Sequence, residues 1–306
     1  MMRATVLALP GNEPLAARLA LDLPAEMGNL EVRRFPDGET YVRIDSPVAG
    51  RPMMLAATLA HPDEKLLALS LAAATARELG ATHVGLVAPY LPYLRQDRRF
   101  HSGEALSARH FARLLSGMVD WVATVDPHLH RVHDLAEVYA IPAESVSAAP
   151  LIARWVREHV PAPLLVGPDE ESVQWVERIA GEAGVPAVTL RKHRLGDDEV
   201  RVEFPDLEPY RDRIPVLVDD IVSTGRTLIE AARGLKGSGL AAPYCVAVHG
   251  IFAGGAYARL LAAGVRGVIT CNTVTHPSNA IDVHGLLTDA ARRLGEVALT
   301  SGSRSW

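Results

Sequence analysis

Residues 214–228 read IPVLVDDIVSTGRTL, and the order of residue types in this stretch decides the fold class. An apolar run ends in two adjacent aspartates, Asp219 and Asp220. A short turn of Ser223, Thr224, Gly225, Arg226 and Thr227 follows, and an apolar helical pattern then begins. A strand, a turn and a helix in that order suit a sugar phosphate. The helix start offers unpaired N–H groups and the positive end of its dipole. Gly225 permits a backbone curl that a side chain would hinder, the threonine hydroxyls add donors, and the aspartates can accept hydrogen bonds from vicinal ribose hydroxyls. Ser and Thr are also common helix caps. A doubled Asp after an apolar run, followed by Ser-Thr-Gly-x-Thr, is much rarer than a cap, so a nucleotide or phosphoribose enzyme is the leading expectation.

The same rhythm runs outward from this stretch. Strands are expected in the first half at Thr5–Leu9, Leu30–Arg34, Tyr41–Ile44, Met53–Ala57, Val84–Ala88 and Trp121–Thr124, with helices at Pro14–Leu21, Glu64–Leu79 and Ser107–Met118. The second half repeats it, with strands at Pro163–Val166, Ala187–Leu190, Val200–Phe204, Val216–Val218, Tyr244–His249 and Gly267–Cys271. Its helices fall at Glu171–Ala183, Thr227–Lys236, Gly255–Ala263 and His284–Leu294. Alternating strands and helices predict an α/β protein with mostly parallel sheets flanked by helices. The chain has 306 residues, enough for two domains. The proline- and serine-rich segment Pro142–Pro150 marks the boundary, giving domains 1–145 and 146–306, with the last helix free to pack back on the first. Ligands of such sheets sit at the carboxyl ends of strands.

Hydrophobic residues make up 48% and charged residues 22%, a globular balance, and the formal net charge of −5 argues against nonspecific nucleic-acid binding. Cys245 and Cys271 are the only cysteines. They lie in apolar segments without metal spacing, so buried thiols in a reducing compartment are expected. The apolar run Val6–Leu9 is too short for a secretory signal, and Leu66–Ala76 is too short to cross a bilayer. A soluble cytoplasmic protein is expected, with no membrane partner.

Four further clusters stand at strand ends. Phe35–Arg43, FPDGETYVR, contains a Pro-Asp-Gly turn signal that a plain hairpin explains. Tyr90–Glu104, YLPYLRQDRRFHSGE, offers Arg95, Arg98 and Arg99 near Arg109. Guanidinium groups suit phosphate oxygens and stack on adenine, although a solvated basic loop explains the composition as well. Thr124–His130, TVDPHLH, carries His128 and His130. Without a nearby Cys or third His, a hard cation shared with phosphate oxygens fits better than zinc, and Asp169 is a second candidate anchor. Lys192–Arg194, KHR, precedes Leu-Gly-Asp-Asp, and its two cations could close over transferring phosphates or lie in an ordinary surface loop.

In this order the motifs resemble the ribose-phosphate pyrophosphokinases, the enzymes that make phosphoribosyl pyrophosphate (PRPP). The resemblance rests on FPDGE at 35–39, RQDR at 95–98, Asp-x-His at 126–128, Pro-Asp at 168–169, Lys-x-Arg at 192–194 and VDDIVSTG at 218–225. His249-Gly250-Ile251-Phe252 adds an echo. It implies two pseudo-symmetric phosphoribosyltransferase-like domains. It also implies that Asp219, Asp220, Ser223, Thr224, Gly225, Arg226 and Thr227 bind ribose 5-phosphate, and that Arg95 and Gln96 hold ATP. By the resemblance Phe35, Asp37 and Glu39 would complete the adenine pocket from a neighbouring subunit, which implies a homo-oligomer, dimer or hexamer. By the same resemblance His128 and Asp169 would contact Mg²⁺, and Lys192 and Arg194 would be the catalytic cations on a mobile loop.

The implied reaction is attack by the ribose C1 hydroxyl on the β-phosphorus of ATP, with AMP leaving. Ser223 stands where the familiar bacterial loop has aspartate, and Arg226 where it has a small residue. The serine and the KHRLGDDEV loop resemble archaeal-type members more closely. Glu170-Glu171-Ser172 follows Asp169 where small residues are usual. Two rival expectations stand beside this one. A phosphoribosyltransferase that consumes PRPP would share the Asp219–Thr227 loop but would not need a second domain with FPDGE and RQDR. A non-catalytic regulatory subunit would have altered catalytic positions, yet Lys192, Arg194, His128 and Asp169 are all present.

Overall fold

A computed structural model describes residues 3–99, 101–129, 134–194 and 200–300. The chain divides into two compact units, Met1–Val146 with His284–Trp306, and Ser147–Val283.

The first unit runs β1 (Ala4–Ala8), α1 (Glu13–Asp22), β2 (Ala25–Met27), β3 (Leu30–Arg34), β4 (Thr40–Ile44), β5 (Pro52–Ala56), α2 (Pro62–Glu78), β6 (His83–Ala88), α3 (Ser107–Met118), β7 (Trp121–Val125) and β8 (Ala143–Val146). The second runs α4 (Ala149–His159), β9 (Pro163–Gly167), α5 (Val173–Ala183), β10 (Ala187–Thr189), β11 (Arg191–Arg194), β12 (Val200–Glu203), β13 (Ile214–Val222), α6 (Arg226–Gly237), β14 (Tyr244–Gly250), α7 (Ala256–Ala262), β15 (Gly267–Cys271) and β16 (Asn279–Ile281). The closing helix α8 (His284–Thr300) belongs to the first unit.

Each unit holds a six-stranded sheet, in the orders β2-β1-β5-β6-β7-β8 and β10-β9-β13-β14-β15-β16. Every neighbouring pair in both sheets is parallel. Adding eight to each strand number converts one order into the other, so the two units share one plan. Each also carries an antiparallel hairpin outside its sheet, β3–β4 and β11–β12. The central strands are apolar because both faces are covered. β7 and β9 are buried along their whole length.

The repeat includes an exchange of helices. Helix α4 follows β8 but packs against α5 in the second unit. Helix α8 follows β16 but packs on β6, β7, β8 and α1 of the first. Arg293 of α8 pairs with Glu144 of β8, and Arg292 donates to the Asp22 carbonyl at 3.3 Å.

The segment expected to be a boundary, Pro142–Pro150, holds β8 and the first residues of α4, and the division between units falls after Val146. Pro150 suits the first turn of α4, and Ile152, Ala153 and Val156 give it one buried face. The edge strands β2, β8 and β16 are too short to show an apolar run. The KHR motif, expected in a connection, lies on β11 instead, with Lys192 and Arg194 in register with Val202 and Val200. Among the described residues no helix is long and apolar enough to cross a membrane.

Candidate active site

Strand β13 extends further than its apolar run, because Asp219 and Asp220 continue the ladder with β14. Asp219 pairs with Ala247, Ile221 with His249 and Val222 with Gly250. On the other side the pairing with β9 stops at Leu217 and Val166. The strand order reverses between β9 and β13, since β10 lies on one side of β9 and β13 on the other. The two aspartates therefore enter the crevice at the switch point of the sheet, the place where open α/β sheets bind ligands.

Asp169, just beyond β9, contributes to the same field. Burial, the Asp220 carboxylate and then the Asp169 carboxylate hold the Asp219 carboxyl well above the ordinary carboxylate range. Burial, with Asp219 nearby, also pushes the Cys245 thiol up to about 12, so this cysteine is an inert core residue. Asp219 accepts the Asp220 N–H at 3.0 Å and Asp220 accepts the Ile221 N–H at 2.7 Å, which fixes both side chains beside the backbone.

The loop after β13 turns at Gly225, which is left-handed at φ +69° and ψ 7° and precedes α6. No side chain caps α6 at this position. A glycine there keeps the first turn open to an anion and tolerates the positive φ. The loop is braced by its neighbour. Val222 O accepts both the Ile251 N–H at 3.0 Å and the Phe252 N–H at 2.9 Å. Arg259, on α7, donates to the Thr224 carbonyl at 3.1 Å and also to the Gly254 carbonyl. Phe252, Tyr257 and His276 pack together beside these loops in tilted and edge-on contacts, with centroid distances of 4.4 Å for Phe252–His276 and 4.7 Å for Tyr257–His276. The Ser278 N–H donates to His276 Nδ1 at 3.2 Å, which leaves the ring proton on Nε2, and burial lowers the affinity of this imidazole for a second proton.

The matching place in the first unit is built differently. Register places Thr58 where the second unit has Asp219, and Gly11 where it has Asp169. The Thr58 N–H donates to Asn12 Oδ1 at 2.7 Å, and Lys65 Nζ donates to the Thr58 carbonyl at 2.8 Å. Helix α2 then begins with Asp63 and Glu64, which disfavour a phosphate at its N-terminus. Among the described residues the carboxylate pair and open loop occur in the second unit alone.

The first unit presents other groups. Phe35 follows β3 and is 39% exposed at the hairpin tip. Gly38, at φ +94°, lets the chain reverse, and Asp37 accepts the Glu39 N–H at 3.2 Å. The plain-turn reading of FPDGE describes its backbone. The guanidinium of Arg33 lies over both Phe35 and Tyr41, at 4.7 and 4.0 Å. Beyond β6, Arg95 is exposed. Gln96 Oε1 accepts the Ser107 hydroxyl at 2.6 Å, tying this loop to the start of α3. The oxygen of Gln96 is thus committed to the fold, and its NH₂ group is the part suited to a ligand. His128 is half-buried beyond β7, after Asp126 at φ +30° and a buried Pro127. His130 and residues 195–199 lie outside the described residues, as do the side chains of Lys192 and Arg194.

Among the described residues no three His, Cys, Asp or Glu side chains form a ready metal site. The donor chemistry still suits Mg²⁺, which takes one or two carboxylates and completes its shell with water and substrate phosphates. The mutual repulsion of Asp169, Asp219 and Asp220 is the kind of field that a hard cation relieves.

Two family models match in sequence. Residues 4–118 match the N-terminal domain of ribose phosphate pyrophosphokinase, and residues 135–286 match the phosphoribosyl transferase domain. A ribose-phosphate pyrophosphokinase of Methanopyrus kandleri is 36% identical over 291 residues, covering 94% of this chain and 99% of the relative. The chain belongs to the ribose-phosphate pyrophosphokinase family. Another member, from Sulfolobus acidocaldarius, is 32% identical over 284 residues, covering 90% of this chain and 95% of the relative. A crystal structure of phosphoribosylpyrophosphate synthetase from Mycobacterium smegmatis is similar at a TM-score of 0.84 and 26% identity, covering 97% of this chain and all of that one.

The expected likeness to archaeal-type pyrophosphokinases agrees with these relatives. For a pyrophosphokinase of this kind, the structure gathers Asp169, Asp219, Asp220 and residues 223–227 at one end of one sheet. It sets Phe35, Asp37, Glu39, Arg95, Gln96 and His128 in the other unit. Arg259 and His276 lie outside the motifs read from the sequence. Their roles depend on contacts with distant loops, and AYARLL carries no signal that singles out its arginine.

Proposed function

We propose that this chain transfers a pyrophosphoryl group from ATP to the C1 hydroxyl of ribose 5-phosphate, giving PRPP and AMP, in a Mg²⁺-dependent reaction. The observation that carries this reading is the Asp219–Asp220 pair and the Gly225 turn at the switch point of the second sheet, in a chain whose first unit has the family's own N-terminal domain.

Asp219 and Asp220 accept the ribose hydroxyls. Ser223, Thr224, Gly225, Arg226 and Thr227 hold the 5-phosphate through N–H groups, hydroxyls and the start of α6. The C1 oxygen attacks the β-phosphorus, the bond from that phosphorus to the bridging oxygen breaks so that AMP departs with that oxygen, and the hydroxyl proton passes to solvent. Arg95 and Gln96 hold the nucleotide, with Phe35, Asp37 and Glu39 reaching it from a neighbouring subunit, which makes the working form a homo-oligomer, dimer or hexamer. Lys192 and Arg194 neutralise the charge that spreads over the transferring oxygens. His128 and Asp169 would hold Mg²⁺, which when bound supplies further neutralisation. Positioning and charge stabilisation are the main contributions a protein makes to such a transfer. The cytoplasm, where Cys245 and Cys271 stay reduced, is the proposed site of action.

Incubation with ATP, ribose 5-phosphate and Mg²⁺, followed by phosphorus NMR, tests this. Signals of AMP and PRPP are expected. Consumption of added PRPP with a nucleobase instead would identify a phosphoribosyltransferase, and silence in both assays a non-catalytic subunit.

A further inference from the structure

Arg259 lies outside every motif that the proposed reaction uses, yet it reaches the loop assigned to the 5-phosphate. Its guanidinium donates to the Thr224 carbonyl at 3.1 Å and, through its other terminal nitrogen, to the Gly254 carbonyl. Thr224 belongs to the loop after β13 and Gly254 to the loop after β14, so one side chain ties two strand-end loops together.

The bond to Thr224 has a directional consequence. A trans peptide is planar, and its carbonyl and the following N–H point in opposite directions. A carbonyl of Thr224 turned toward Arg259 therefore sends the Gly225 N–H the other way. That N–H is one of the donors that a phosphate at this helix start would take. The peptide ahead of a glycine is also the one most easily turned over, because glycine accepts φ of either sign. Steric preference at Gly225 therefore does not by itself fix the orientation of this peptide. The conformation seen, with Gly225 at φ +69°, is the one that Arg259 captures. A charge-assisted bond to a carbonyl is strong enough to decide that orientation, and a fork that grips two carbonyls at once leaves Arg259 little freedom to let go.

We propose that Arg259 is a positioning residue for the 5-phosphate of the acceptor. It locks the Thr224–Gly225 peptide so that the Gly225 N–H faces the anion. This rests on the reading that the loop binds ribose 5-phosphate.

The test is steady-state kinetics of Arg259→Ala and Arg259→Lys, with calorimetric titration of ribose 5-phosphate alone. For Arg259→Ala we expect the KM for ribose 5-phosphate and its Kd to rise about tenfold, with the KM for ATP and kcat within about threefold of the parent. Arg259→Lys, which keeps the charge and a donor, should recover part of the loss. An unchanged KM and Kd for ribose 5-phosphate, or an equal rise in both substrates' KM, overturns the proposal. If Arg259→Ala does not fold by circular dichroism, Arg259→Gln is measured against the same criteria. Parent protein that forms no PRPP but binds ribose 5-phosphate sinks the functional reading and leaves the role of Arg259 to be settled by the titration.

Discussion

Asp169 lies just beyond β9 and Asp219 on the neighbouring strand β13, and burial, the Asp220 carboxylate and then the Asp169 carboxylate raise the pKa of Asp219. Two carboxylates held in one crevice beside a third, Asp220, oppose folding in the absence of a cation. A bound hard cation would relieve that repulsion.

That conflict predicts that Asp219→Asn stabilises the metal-free protein while impairing turnover. The folded pKa of Asp219 is raised, so below about 3.8 both states are protonated and the site costs nothing. As pH rises from there to the folded pKa, the unfolded carboxyl ionises first and stability is lost, and the loss persists at higher pH. Thermal melts in a chelator should therefore show a higher Tm for the variant at pH 7.5, each kcal/mol appearing as about 2–4 °C. The gain should vanish near pH 3.5. A lower Tm at pH 7.5 would show that the site is not strained.

Gly225→Ala should raise the KM for ribose 5-phosphate. Space is not the obstacle, since a Cβ there would lie 3.5 Å from Ala256 Cβ. The cost is the positive φ, about 1–2 kcal/mol for a residue with a Cβ. Denaturant melts should show a loss of that size, and titration of ribose 5-phosphate should show weakened binding. Wild-type affinity in the variant would argue that the turn does not hold the phosphate.

Phe35→Ala separates binding from folding. Phe35 is 39% exposed on a hairpin tip, so its loss should change stability by no more than about 0.5 kcal/mol. If it completes an adenine pocket, the KM for ATP should rise several-fold while that for ribose 5-phosphate stays level. Unaltered ATP kinetics would remove it from the site.

Lys192→Ala should lower turnover about a hundredfold, corresponding to ~3 kcal/mol of transition-state stabilisation, with ribose 5-phosphate binding retained. Single-turnover rates together with equilibrium titration distinguish this from a loss of affinity.

The ring of His276, packed against Phe252 and Tyr257, predicts an acid-sensitive brace. Burial lowers its folded pKa, so its contribution to stability is complete above about 6.5, where both states are neutral, and declines as pH falls from there toward the folded pKa. Melting curves from pH 7.5 to 5.0 should fall less steeply for His276→Gln than for the parent.

Much of this molecule was legible in the chain. The apolar runs of β5, β6, β7, β9 and β14 announce strands covered on both faces, because only buried parallel strands need to be apolar throughout. The short edges β2, β8 and β16 and the helix α4 were not legible. A three- or four-residue edge has no periodicity to read, and the proline and serines ahead of α4 look like a linker. The Asp219–Thr227 loop could be found because its residue types are rare in that order. Arg259 could not, because an arginine on a helix acquires meaning only from the carbonyls it meets.

The sequence alone determined the alternation of strand and helix, the aspartate pair, the glycine turn and the order of the motifs. These depend on neighbours along the chain, where φ/ψ preference and hydrophobic spacing act. Only the tertiary structure decided that the repeat is an exact shift of eight strands, that α4 and α8 are exchanged between the units, and that among the described residues the first unit has no counterpart of the carboxylate pair. Pairing of distant strands and the fields of converging charges arise from proximity in space, which residue order does not encode locally.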